Sequence, residues 1–117
     1  MHNFKNLTVW QKSIDLTTEI YSLTRNFPSE ERFSLTSQIR RAAVSVASNI
    51  AEGAGRKSNK EFKHFLSISL GSVFELETQV IVAYRLNLVG EIEMSDIQFR
   101  ISEIQKMIFA LERSIVI

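Results

Sequence analysis

The stretch SDIQFRISEIQKMIFALERSI, residues 95–115, decides the fold class. Its aliphatic positions are Ile97, Ile101, Ile104, Ile108, Leu111 and Ile115, separated by alternating steps of four and three. That spacing keeps one stripe on one side of an α-helix and no stripe on a strand. Working back toward the N-terminus, Phe62, Phe65, Leu66, Ser69, Val73, Leu76, Val80 and Ala83 trace a second helical face. Phe33, Ile39, Ala43, Val46 and Ile50 trace a third.

The breaks between these segments fall at the few turn-forming residues. The chain of 117 residues has four Gly and one Pro, which suits long helices better than a many-turned β fold. The first helix is expected from Leu7 to Arg25, ended by Pro28. The second is expected from a Ser29 cap to Glu52, stopped by Gly53 and Gly55 at positive φ. The third is expected to open at Ser58, with Glu61 completing a capping box, and to run to Leu88 before Gly90. The fourth is expected to open near Ser95, with Gln98 in the reciprocal position. Three short connections make sequential helices antiparallel neighbours. The expectation is therefore an all-α, up-and-down antiparallel four-helix bundle forming one domain over residues 1–117.

Helix 1 carries two apolar stripes. Leu7, Trp10, Ile14 and Tyr21 cluster on one side, and Val9, Leu16, Ile20, Leu23 and Phe27 roughly opposite. One bundle covers one stripe, so the other calls for a second subunit or for an N-terminal tail or crossing loop of the same chain. Phe99, opposite the helix 4 stripe, points the same way. A homo-oligomer is expected. The small residues of helix 2 (Ala42, Ala43, Ser45, Ala47, Ser48 and Ala51) favour close helix approach. Gly71 in mid-helix 3 is expected to mark such a crossing, because glycine there costs ~1 kcal/mol against alanine.

Catalytic and cofactor chemistry finds little support. There is no Cys, hence no disulfide, thiolate metal site or cysteine nucleophile. The run Gly53-Ala54-Gly55-Arg56-Lys57-Ser58 resembles the end of a phosphate-binding loop, but the required earlier glycine is Ile50 and a helix precedes it. Glu61 and His64 make a single Glu-x-x-His, whereas a di-metal bundle needs two. No Ser has an evident His partner. A non-enzyme without cofactors is expected. Residues 1–12 are polar, with no visible signal peptide, and no uninterrupted apolar run nears the roughly 20 residues that span a bilayer. No membrane partner and a cytoplasmic location are expected.

The net charge of +1 argues for no partner, so the electrostatic signal is local. Arg40, Arg41, Arg56, Lys57, Lys60 and Lys63 face only Glu52 and Glu61 between Gln38 and His64. Arg56, Lys57 and Lys60 flank the start of helix 3, where free N–H groups and the helix dipole attract anions. These six are candidate contacts to an RNA or DNA backbone. Arg40 or Arg41 is also expected to pair with Glu52, Glu75 or Glu77. Asn49, Glu52 and Glu75 are candidates for a polar network or interface.

The same residues carry a family resemblance. The matching words are Leu7-Thr8-Val9-Trp10-Gln11-Lys12, Phe27-Pro28, the run from Leu35 through Arg40-Arg41-Ala42-Ala43-Val44-Ser45, Asn49-Ile50-Ala51-Glu52-Gly53, and Gly71-Ser72-Val73-Phe74-Glu75-Leu76-Glu77. The chain resembles the four-helix bundle proteins encoded within intervening sequences of bacterial 23S rRNA genes. Helix 4 matches only in its apolar pattern. The resemblance implies an up-and-down bundle with a non-enzymatic role. It also extends to the accessory variability protein of diversity-generating retroelements, which implies a pentamer, a basic nucleic-acid-binding surface and a protein partner. Two functions are thus expected: an oligomeric nucleic-acid-binding bundle or, alternatively, a protein–protein adaptor without nucleic acid.

Overall fold

The computed structural model describes residues 2–117. Four helices carry the fold: α1 Thr8–Thr24, α2 Leu35–Ala54, α3 Asn59–Arg85 and α4 Glu91–Ser114. Short 3-10 turns at Phe4–Asn6 and Ser29–Glu31 precede α1 and α2. Each helix packs on two others: α1 on α2 and α4, and α3 on α2 and α4. Cross-helix bonds fix the directions. Thr17 donates to the Ala43 carbonyl at 3.2 Å, while Arg40, earlier on α2, reaches Thr24, later on α1. Ser69 donates to the Val46 carbonyl at 2.7 Å, and Gln105 on α4 donates to Glu77 on α3 at 2.9 Å. Lys12 and Glu103 join α1 to α4 at 3.2 Å. These registers describe an antiparallel up-and-down ring.

The expected stripes form the core. Ile97, Ile101, Ile104 and Ile108 are buried, as are Phe62, Leu66, Ser69, Val73, Leu76, Val80 and Ala83 on α3. Ile39, Ala43, Val46 and Ile50 bury the inner face of α2. On α1 the buried row is Val9, Ser13, Leu16, Ile20 and Thr24. Its two hydroxyls donate to the Val9 and Ile20 carbonyls at 2.7 and 2.8 Å, which satisfies them within the helix.

Several boundaries differ from expectation. Helix α2 starts at Leu35, since Ser29–Glu31 forms a separate 3-10 turn and the chain bends again before Ser34. Phe33 therefore leaves the core and is 88% exposed. Helix α4 starts at Glu91 with Gly90 as its cap, a full turn before Ser95, so no Ser95–Gln98 box forms. Gly53 lies inside α2, and no glycine has positive φ; that conformation falls to Asn87 at φ 62°. There α3 ends in a Schellman motif, with Leu88 N–H on the Ala83 carbonyl at 2.9 Å and Asn87 N–H on the Tyr84 carbonyl at 3.0 Å. Half of the expected box at the start of α3 forms: Ser58 Oγ accepts from Glu61 N–H at 3.1 Å, while the Glu61 carboxylate turns to Arg56 instead of the Ser58 N–H.

The close α2–α3 crossing exists, but Gly71 does not make it. Gly71 is exposed, and a Cβ there would meet nothing within 4 Å. Gly53 makes it instead: a Cβ would lie 2.7 Å from Phe65 Cβ and 3.0 Å from Phe62 Cδ1. Further along the same contact, Ser45 and Ser72 hydroxyls meet at 2.9 Å.

The second stripe of α1 is partly covered by the chain itself. Phe4 packs edge-on against Trp10, with ring centroids 5.1 Å apart, and Leu7 and Trp10 are half-buried. Ile14 and Tyr21 stay about two-fifths exposed. A second exposed apolar surface lies on α3 and α4, where Phe74 and Phe109 are each about half exposed. Helix α3 is, by length and composition, long and apolar enough to cross a membrane; its most apolar 18-residue window has a mean hydropathy of 1.4, and 28% of it is buried.

Candidate nucleic-acid interface

The six candidate cations do not form one surface. Arg40 lies in the second turn of α2, and Arg56 follows that helix two residues beyond its last residue, Ala54. At 1.5 Å per residue the helical stretch from Arg40 to Ala54 spans ~21 Å. The candidates therefore divide into an α2–α3 turn and an α1–α2 corner.

At the α2–α3 turn, Arg56 is already engaged. Its guanidinium lies 3.4 Å from the Glu52 carboxylate and 3.8 Å from that of Glu61, and stacks 4.7 Å above the Phe65 ring. The start of α3 is capped by Ser58 and carries Glu61 in its first turn. Both features occupy the anion-attracting position with the protein's own groups. Lys57 and Lys60 are exposed, Lys63 is half-buried, and none makes an ion pair among the described residues. His64 is exposed, edge-on to Phe65 at 5.6 Å, while Glu61 turns to Arg56. No group of three metal-ligating side chains occurs among the described residues.

At the α1–α2 corner, Arg40 does not pair with Glu52, Glu75 or Glu77. It reaches across to α1, because its position on α2 faces the last turn of α1. Its Nε donates to Thr24 Oγ1 at 2.8 Å and its Nη2 to the Tyr21 carbonyl at 3.4 Å. The guanidinium stacks 4.6 Å above the Tyr21 ring. Arg41, about 100° further round the helix, is exposed and makes no ion pair among the described residues.

Asn49, Glu52 and Glu75 do not form a joint network. Asn49 Nδ2 donates to the Ser45 carbonyl at 2.8 Å and to Ser45 Oγ at 3.0 Å, and Ser45 continues to Ser72. Glu52 pairs with Arg56, and Glu75 is exposed. The polar chain that does form, Asn49–Ser45–Ser72, fastens α2 to α3.

Sequence reasoning missed four corner residues: Arg25, Arg32, Phe33 and Thr36. With Arg40 and Arg41 they surround two adjoining cavities of about 280 and 360 Å³ that share Arg32, Thr36 and Arg40. The available signal was the spacing of Arg25, Arg32, Arg40 and Arg41 around Pro28, with an aromatic at Phe33 in the polar run Ser29–Ser34. Extending helix 2 back to Ser29 hid it, because a continuous helix disperses these side chains.

A crystal structure of a protein of unknown function from the S23 ribosomal protein family of Bacteroides thetaiotaomicron VPI-5482 has a similar fold. It aligns with a TM-score of 0.83 and 24% identity, covering 90% of this chain and 95% of that one. No curated protein matches the chain. Residues 5–110, spanning α1 to α3 and most of α4, match the family described as 23S rRNA-intervening sequence protein. With that match running through every helix of the bundle, the chain belongs to the 23S rRNA-intervening sequence protein family.

Proposed function

We propose that this protein is a non-catalytic, self-associating bundle that binds nucleic-acid backbone through cations at the two ends of α2. The observation that carries this reading is the mismatch between cations and carboxylates there. Of the six candidate cations, Arg56 alone is ion-paired among the described residues. A phosphate backbone supplies the missing charge, and release of its counterions drives such binding. Non-specific affinity is expected at ~10⁻⁴ to 10⁻⁶ M near physiological salt. Titrating salt against labelled RNA and DNA tests it. Affinity should fall steadily with salt, and Lys57→Ala with Lys60→Ala should make the slope shallower. Absence of binding at low salt rejects the reading.

Self-association is supported by the outer α3–α4 groove, lined by Leu70, Phe74 and Phe109 with Gln105 and Lys106. Exposed aromatic surface of this kind favours a protein partner over water. A second copy is the proposed cover, and five copies in all is the number proposed from the sequence resemblance to the accessory variability protein alone. Light scattering on the eluting protein should give a mass near five chains, and Phe74→Glu should lower it. A monomer at all concentrations rejects this part.

A second reading, a protein adaptor, is favoured by Ile92 and Phe99, which are 83% and 69% exposed on α4 and do not line that groove. A nuclease-resistant partner lost with Phe99→Ala is the result that would favour it.

A further inference from the structure

The α1–α2 corner combines three features that the α2–α3 turn lacks. First, the start of α2 has no side-chain cap: the Ser34 hydroxyl is drawn away to the Glu31 carboxylate at 2.8 Å. The N–H groups of the first turn therefore keep their pull on an anion. Second, Thr36 in that turn is 7% exposed, and its Oγ1 is buried without a hydrogen-bond partner. A buried orphan hydroxyl is costly, and Thr36 lines both cavities, so a ligand reaching it there would complete it. Third, Arg25, Arg32 and Arg40 ring the same cavity, and none makes an ion pair among the described residues.

Of the three, Arg40 alone makes side-chain hydrogen bonds among the described residues. Its bonds to Thr24 and Tyr21 use Nε and Nη2, which leaves Nη1 without a partner in the protein. A planar guanidinium held in this way matches a phosphate better than a flexible ammonium does. The adjoining cavity adds aromatic surface: Tyr21 and the 88% exposed Phe33, whose ring lies 5.4 Å from the Arg32 guanidinium. An arginine site beside an open aromatic ring suits a phosphate attached to an unstacked base.

We propose that the α1–α2 corner is a nucleotide site, holding a phosphate against Thr36, Arg40 and the start of α2, with the attached base against Phe33. The proposal rests on the nucleic-acid reading above only in taking a strand as one source of the nucleotide; a free mononucleotide presents the same groups. The two adjoining cavities, about 280 and 360 Å³, lie just below and just inside the ~300–1,000 Å³ range of small-ligand sites.

The test compares inorganic phosphate, AMP and a short labelled single-stranded oligonucleotide on the full chain. AMP should bind more tightly than phosphate. Thr36→Val should weaken both by about tenfold, because it removes a hydrogen bond to a charged group. Phe33→Ala should weaken AMP about fivefold or more and leave phosphate unchanged. Arg32→Ala, at an exposed position, provides a second variant should Thr36→Val disturb the fold, and thermal melts report on that. Failure of both phosphate and AMP to bind overturns the site. So does binding insensitive to Thr36→Val and Arg32→Ala, and so does equal affinity for phosphate and AMP. An oligonucleotide released by Lys57→Ala with Lys60→Ala, yet indifferent to Thr36→Val and Phe33→Ala, overturns the corner and keeps the broader function. AMP bound at the corner with no strand bound anywhere does the reverse.

Discussion

The two ends of α2 solve the same problem in opposite ways. Each brings basic side chains beside the start of a helix. At the α2–α3 turn the protein satisfies its own groups: Ser58 caps α3, Glu52 and Glu61 hold Arg56, and Gly53 lets Phe62 and Phe65 close against the backbone. At the α1–α2 corner less is answered: α2 has no side-chain cap, the Thr36 hydroxyl has no partner, and Arg25, Arg32 and Arg40 face no carboxylate partner among the described residues, although Arg40 is bonded to Thr24 and the Tyr21 carbonyl. Charge in the sequence therefore does not record which cations the protein has already answered. An anion already replaced by a carboxylate or a cap offers little further gain, so the proposed site follows unspent hydrogen-bonding capacity instead.

Stability measurements can break this contrast. The largest effect is expected at Phe62, 2% exposed and packed under Gly53. Phe62→Ala should lose ~3–5 kcal/mol in urea unfolding; a loss below ~1 kcal/mol, outside the range for such a deletion, would mean the turn is loosely packed. Gly53→Ala should cost ~1–3 kcal/mol despite the better helix propensity of alanine, because its methyl overlaps Phe65. Gly71→Ala, in open space, should gain up to ~1 kcal/mol in the same assay. The capping serines come next. Ser58→Ala should cost ~1 kcal/mol, and Ser34→Ala only a few tenths, since it makes no capping bond. Equal losses in thermal melts would erase the difference between the two helix starts. Thr36→Val, like Gly71→Ala, acts in the stabilising direction and should gain up to ~1 kcal/mol, because it removes an unsatisfied buried hydroxyl. A stabilised variant with weakened phosphate binding would sharpen the comparison most, as a group kept for function at a cost in stability.

The helical stripes were legible because burial follows a 3.6-residue period that residue types reveal directly. Ile97 to Ile108 on α4 and Phe62 to Ala83 on α3 needed no further information. Ends were less legible. Ser29 and Ser34 are both plausible caps, and the chain uses neither side chain in that way. Asn87 took the left-handed position expected of glycine, which asparagine tolerates through its short polar side chain. Gly71 and Gly53 are alike as letters; only the neighbouring helix distinguishes a crossing from open space.

The candidate site followed the same division. All six cations were named from local charge, but their grouping assumed that nearness along the chain is nearness in space. A helix of 20 residues separates its ends by ~30 Å, so it holds Arg40 and Arg56 apart. The sequence by itself determined the helical class, the buried stripes and the family. Only the tertiary structure decided which polar groups were left without partners, because satisfaction is a property of pairs brought together from different helices, and composition does not record pairs.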